Sequence, residues 1–174
     1  MANNKTLFPL FRSGFFVAIM CCLLFIPDNI IAGKKPDFSG EWNLNTSESE
    51  LGEFNRAASK IKITQDENSL TIERTGTRRN GEVFTYTEKI TLDGKESVNT
   101  VFGDRQRKAV AEWSEDGLSL IISSTMNFER DGETREVKSQ ETWILTDNGK
   151  SIVIDSSSTT PRGERKQKLV YNKG

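Results

Sequence analysis

The chain has 174 residues, with 24 lysines and arginines against 25 aspartates and glutamates, a formal net charge of −1 and no histidine. The opposite charges are interspersed, which excludes a basic footprint for nucleic acid and a single-sign field that would steer an acidic partner. Without histidine, the commonest proton shuttle and metal ligand at neutral pH is missing.

The chain opens with the parts of a secretory signal. Lys5 and Arg12 supply positive charge, and an uncharged run from Phe15 to Ile26 follows, too short to span a bilayer as a helix. Pro27 and Asp28 interrupt that run, and Ala32 or Gly33 offers a small residue for cleavage. The expected division is therefore a signal peptide over 1–32 and one domain over 33–174, exported to the periplasm or the extracellular space. An uncleaved anchor, or a lipid anchor on Cys21 or Cys22, is the alternative. Cleavage removes both cysteines, and with them any disulfide, zinc–thiolate site or cysteine nucleophile. It also removes two cations and the anion Asp28, shifting the formal charge from −1 to −2. The remaining length, about 140 residues, suffices for one hydrophobic core.

Gly33 to Asp37 reads as a short polar lead-in. Glu41 to Asn45 reads as a first strand with Trp42 and Leu44 on one face. Ser47 to Ser59 has some helical character, enough for a loop or one or two turns. Strict two-residue alternation then takes over. Ile61 and Ile63 share a side; Asp66-Glu67-Asn68 turns the chain; Leu70, Ile72 and Arg74 return it. Asp66, Glu67 and Asn68 could attract calcium, but their density fits an ordinary turn better. After Asn80-Gly81, the residues Phe84, Tyr86, Glu88, Ile90 and Leu92 form one face of a long strand, closed at Asp93-Gly94. Later strands are expected over Lys108–Trp113, Leu118–Phe128, Thr134–Leu145, Ser151–Thr159 and Glu164–Tyr171. The turns between them carry Asp116-Gly117, Asp131-Gly132, Asn148-Gly149 and Pro161-Arg162-Gly163. The predicted fold is all-β: a single antiparallel up-and-down barrel of about 8–10 strands, which hides its edges by closing. A two-layer sandwich is the rival, because alternation alone does not report closure.

Phe38-Ser39-Gly40-Glu41-Trp42-Asn43-Leu44 resembles the opening of the calycin-type barrels, where glycine, any residue and tryptophan begin the first strand. The acidic-turn hairpins, Tyr86-Thr87 before Leu92-Asp93-Gly94, and Glu141-Thr142-Trp143 extend the likeness over 36–171. The chain is similar to small lipocalin-like domains of bacterial exported proteins. That resemblance implies structural roles for Gly40 and Trp42, with the tryptophan closing one barrel end. It also implies an arginine of the last strand, here Arg165, packed over that ring. The disulfides of secreted lipocalins and the arginine–arginine–tyrosine grip of fatty-acid binders have no matching motif in this chain.

A ligand site needs an apolar wall and a few inward polar groups. The alternation places Phe84, Tyr86, Trp113, Ile122, Met126 and Trp143 on the same face as the polar Arg74, Glu88, Ser124 and Glu141. These ten residues are the candidate ligand contacts, with Arg74 pairing Glu88 or Glu141, or meeting a polar ligand group. No catalytic residue, metal site or cofactor motif is nominated. The leading reading is an exported protein holding a small apolar or amphipathic molecule inside the barrel. A cell-envelope protein-interaction or structural domain with a filled core comes second, and a barrel enzyme using a carboxylate pair such as Glu88 and Glu141 third.

Overall fold

The computed structural model describes residues 34–52, 57–78, 80–130, 132–160 and 163–174. The signal peptide expected over 1–32 lies outside the described residues. Ten strands follow in order: β1 Gly40–Leu44, β2 Lys60–Gln65, β3 Ser69–Thr77, β4 Val83–Thr91, β5 Ser97–Val101, β6 Arg105–Trp113, β7 Ser119–Arg130, β8 Glu133–Thr146, β9 Ser151–Thr160 and β10 Gly163–Lys173. They form one antiparallel sheet, ordered β4-β3-β2-β1-β10-β9-β8-β7-β6-β5. Chain neighbours pair throughout except β4 and β5, which form the two edges, and β1 joins the last strand through Trp42↔Lys173 and Leu44↔Tyr171. This is a nearly closed barrel and not a pair of stacked sheets.

β2 matches its expected limits, and most other strands run one to a few residues beyond theirs. β5 was not anticipated. It is short, its Val98 is exposed, and its alternate residues Ser97 and Asn99 are polar. Those two side chains explain both its sequence and its place. Between β4 and β5 there is no backbone ladder. Instead the Asn99 amide takes both roles of a ladder residue. Its oxygen accepts from Lys89 N at 2.8 Å and its nitrogen donates to Lys89 O at 3.0 Å. Ser97 Oγ accepts from Thr91 N at 3.0 Å. The seam is thus stitched by side chains, which satisfies edge groups that would otherwise be orphaned.

The polar lead-in also does more than its composition predicts. Gln65 of β2 holds it from both sides, accepting from Phe38 N at 3.1 Å and donating to Pro36 O at 3.0 Å. Phe38 becomes fully buried, 6.2 Å from the Trp113 ring in a stacked pose and 5.8 Å from Trp143 edge-on. The Trp42 indole donates to Phe38 O at 3.0 Å. This end of the barrel is closed by aromatic side chains.

After β1 the chain continues along β10. Asn45 N donates to Val170 O at 2.8 Å, and Glu50 exchanges backbone bonds with Lys168. Within the stretch given some helical character, residues 53–56 lie outside the described residues and the rest forms turn and bridge. The acidic turn after β2 is a turn indeed: Asp66 accepts from Asn68 N at 2.8 Å and Ser69 N at 2.7 Å, and Ser69 Oγ donates to its other oxygen. After β8 the chain reverses through Asp147, Asn148 and Gly149, all left-handed, where the first two are residues that tolerate that region.

Inward-facing residues change character along the barrel axis. Near the closed end, Ile63, Leu70, Ile72, Ile90, Leu120, Ile122, Trp143, Ile152, Ile154 and Tyr171 are buried in one cluster. Toward the other end the same faces carry Phe84, Tyr86, Met126, Phe128, Val137, Ser139, Ser156, Ser158 and Gln167, all only half-buried. These residues face inward by register, so the half-exposure marks an interior open to solvent from that mouth.

Candidate functional site

Four charged side chains meet where the filled half gives way to the open half. Arg74 comes from β3, Glu88 from β4, Arg107 from β6 and Glu141 from β8. Arg74 Nη2 donates to Glu141 Oε2 at 2.8 Å, and its Nε lies 3.7 Å from Glu88 Oε2. Arg107 binds Glu88 directly through Nη1 and stands 4.0 Å from Glu141. Each guanidinium therefore faces both carboxylates. Alternation explains how distant strands supply them: Arg74 continues the face of Leu70 and Ile72, and Glu141 that of Trp143.

Trp143 completes the arrangement. Its Nε1 donates to the same Glu141 oxygen at 2.9 Å, and Arg74 lies over its ring at 5.5 Å. Burial works to raise the Glu141 pKa, but Arg74 and Arg107 more than offset it, so the carboxyl sits below its ordinary value. Burial likewise opposes the Arg74 charge, and Glu141, Tyr86 and Glu88 outweigh it; the guanidinium stays protonated. Burial raises the phenols of Tyr86 and Tyr171. Both carboxylates are ion-paired, and Glu141 is held ionised. Glu141 is therefore not the raised, poised acid that acid–base chemistry near neutral pH asks for. Among the described residues no group of three histidines, cysteines or acidic residues could hold a metal ion.

Above the quartet, Tyr86 forms an aromatic trio with Phe84 and Phe102, with ring centroids 6.2 Å and 4.5 Å from its own. Phe102 sits in the β5–β6 turn at φ 51°, a strained position for a large side chain. A crevice of about 440 Å³ lies against the trio at the β4–β5 seam. Phe84 owes its place to Gly76 across β3, where an added Cβ would come within 2.6 Å of the ring.

The predicted residues are spread along the barrel axis. Arg74, Glu88 and Glu141 converge in the quartet, and Tyr86, Phe84 and Met126 stand on its mouth side. Ser124 hydrogen-bonds Ser139 at 2.8 Å across β7 and β8. Ile122, Trp143 and Trp113 belong to the filled end, where Trp113 is half-buried beneath Lys35 at 5.2 Å. Gly40 adopts φ 139°, which a side chain would oppose, and Trp42 is fully buried. Arg165 is not the cation over that tryptophan. Antiparallel register puts Lys173 there, 5.2 Å from the ring, and leaves Arg165 opposite Ser158 near the start of β10. The residue missed from the site is Arg107. Its signal was parity: it shares the face of Ala109, Ala111 and Trp113, but a strand expected to begin at Lys108 left it outside.

No family model and no curated protein matches the chain. Among solved structures, it is similar to the crystal structure of zebrafish ileal bile acid-binding protein complexed with cholic acid. The identity is 19%, the TM-score 0.51, and the match covers 79% of this chain and 98% of that one. At that identity the likeness shows the fold alone: a ten-stranded, nearly closed antiparallel β-barrel.

Proposed function

We propose that this is an exported binding protein that holds a small, partly apolar molecule in the open half of its barrel, with the polar part of the ligand toward the quartet. The observation that carries the reading is the change along the inward faces, from side chains with no exposure to side chains left half-exposed inside the wall. A chain that only needed a core would have filled that half. The mouth side supplies apolar surface from Phe84, Tyr86, Met126, Phe128 and Val137, and hydroxyls from Ser139, Ser156 and Ser158. The similar zebrafish barrel, named for bile acid binding and complexed with cholic acid, supports the idea that such a shape accommodates an amphipathic molecule. Export rests on the leader alone and is tested by N-terminal sequencing of the protein recovered from cells, which should begin near Gly33.

Binding is tested with the neutral dye Nile red. Its fluorescence should rise on addition of the protein, and Val137→Trp, which fills the open half, should abolish the rise without lowering Tm. An unchanged signal in the filled variant would place the dye elsewhere and remove the reading. Native mass spectrometry of protein purified from its own cell envelope should then show a bound species.

A further inference from the structure

We infer that the quartet selects a neutral, hydroxyl-bearing amphiphile and rejects its carboxylate counterpart. The inference rests on the binding function proposed above and names the ligand class.

The first argument is charge balance. Arg74 and Arg107 contribute two positive charges, Glu88 and Glu141 two negative ones, and every guanidinium–carboxylate pair in the set lies at 4.0 Å or closer. A carboxylate entering from the mouth finds no uncompensated cation. It meets two anions of like sign in a site that has already shed most of its water. An ammonium group meets the mirror-image problem with the two guanidiniums.

The second argument is an unused donor and acceptor. Arg74 Nε and Glu88 Oε2 face each other at 3.7 Å, beyond hydrogen-bond reach, and neither has a hydrogen-bond partner among the described residues. Arg74 is 7% exposed and Glu88 1%. A single oxygen about 2.8 Å from each would accept from Nε–H and donate to Oε2. Only a group that both donates and accepts can do this, and among ligand head groups a hydroxyl is the smallest. A carboxylate cannot donate to Glu88, and an ammonium cannot accept from Arg74. Tyr86 lies across the strand pair from Arg74 and two residues toward the mouth from Glu88. Phe102 beside it offers apolar surface to the ligand body.

The test displaces Nile red from the purified protein with decanol, decanoate and decylammonium, which share one chain and differ in head group. Decanol should compete roughly tenfold or more tightly than either ion at neutral pH. Glu141→Gln leaves a net positive site, and the affinity of decanoate relative to decanol should rise about tenfold in that variant. Decanoate matching or exceeding decanol on the wild-type protein would overturn the selectivity while leaving the binding function intact. Failure of all three to compete would also overturn it. Failure of Nile red itself to bind would remove the parent reading instead. The wild-type comparison decides the matter even where the variant does not fold.

Discussion

Glu141 is the residue through which the quartet becomes measurable. Its carboxyl is buried yet held below its ordinary value of 4.5 by Arg74 and Arg107. The unfolded chain therefore takes up this proton at a higher pH than the folded one does. The stability that Glu141 contributes is complete above about pH 4.5 and is lost as pH falls through the lower folded value. Urea midpoints measured from pH 7 to pH 2 should be flat near neutrality and fall in acid. Glu141→Gln should be less stable at pH 7 by about 3 kcal/mol, because two buried guanidiniums are left with one carboxylate. It should also lose less on acidification. Other carboxylates, Asp93 among them with a pKa of about 2, titrate in the same range in both proteins, so the difference between the two curves isolates Glu141. A variant with the same acid limb as the wild type would show that the ion pairs carry no linkage.

Among the elements, legibility in the sequence follows from who supplies the hydrogen bonds. Strands such as β2 and β3 alternate cleanly because their ladders come from the backbone and their apolar side chains are free to mark the buried face. β5 hides because Ser97 and Asn99 are spent on the seam, and a polar side chain doing a ladder's work looks like a loop residue. Three of the four quartet members could be read from alternation around Arg74, Glu88 and Glu141. Arg107 was lost to a strand boundary, the least legible quantity in a sequence. That they meet could not be read at all, since pairing across β3, β4, β6 and β8 is fixed by closure and not by local rhythm. The seam itself is testable. Asn99→Ala removes one donor and one acceptor aimed at Lys89 and leaves that backbone unpaired. It should cost about 0.5–1.5 kcal/mol and raise amide exchange at Lys89 well above that of the laddered strands. Unaltered exchange there would mean that the seam is held by the rings of Phe84, Tyr86 and Phe102 rather than by the amide.

At the scale of the whole molecule, the barrel divides its labour along its axis, and the lead-in decides which end is solid. An up-and-down sheet leaves two open ends. One is blocked here by Phe38, which comes from outside the strands and enters between Trp42, Trp113 and Trp143. The arginine expected over Trp42 is replaced at that end by Lys173, which covers the ring from the outside. If this plug is what lets the opposite half stay open, stability and binding should separate on mutation. Phe38→Ala removes a fully buried ring from the core and should cost ~3–5 kcal/mol. Val137→Trp, at the mouth, should leave Tm near that of the wild type and remove Nile red binding. A barrel whose two halves were one continuous core would instead lose stability from both changes. Calorimetry of the two variants beside a dye titration distinguishes these outcomes. The divided barrel predicts that Phe38→Ala, at a temperature where it remains folded, still binds the dye.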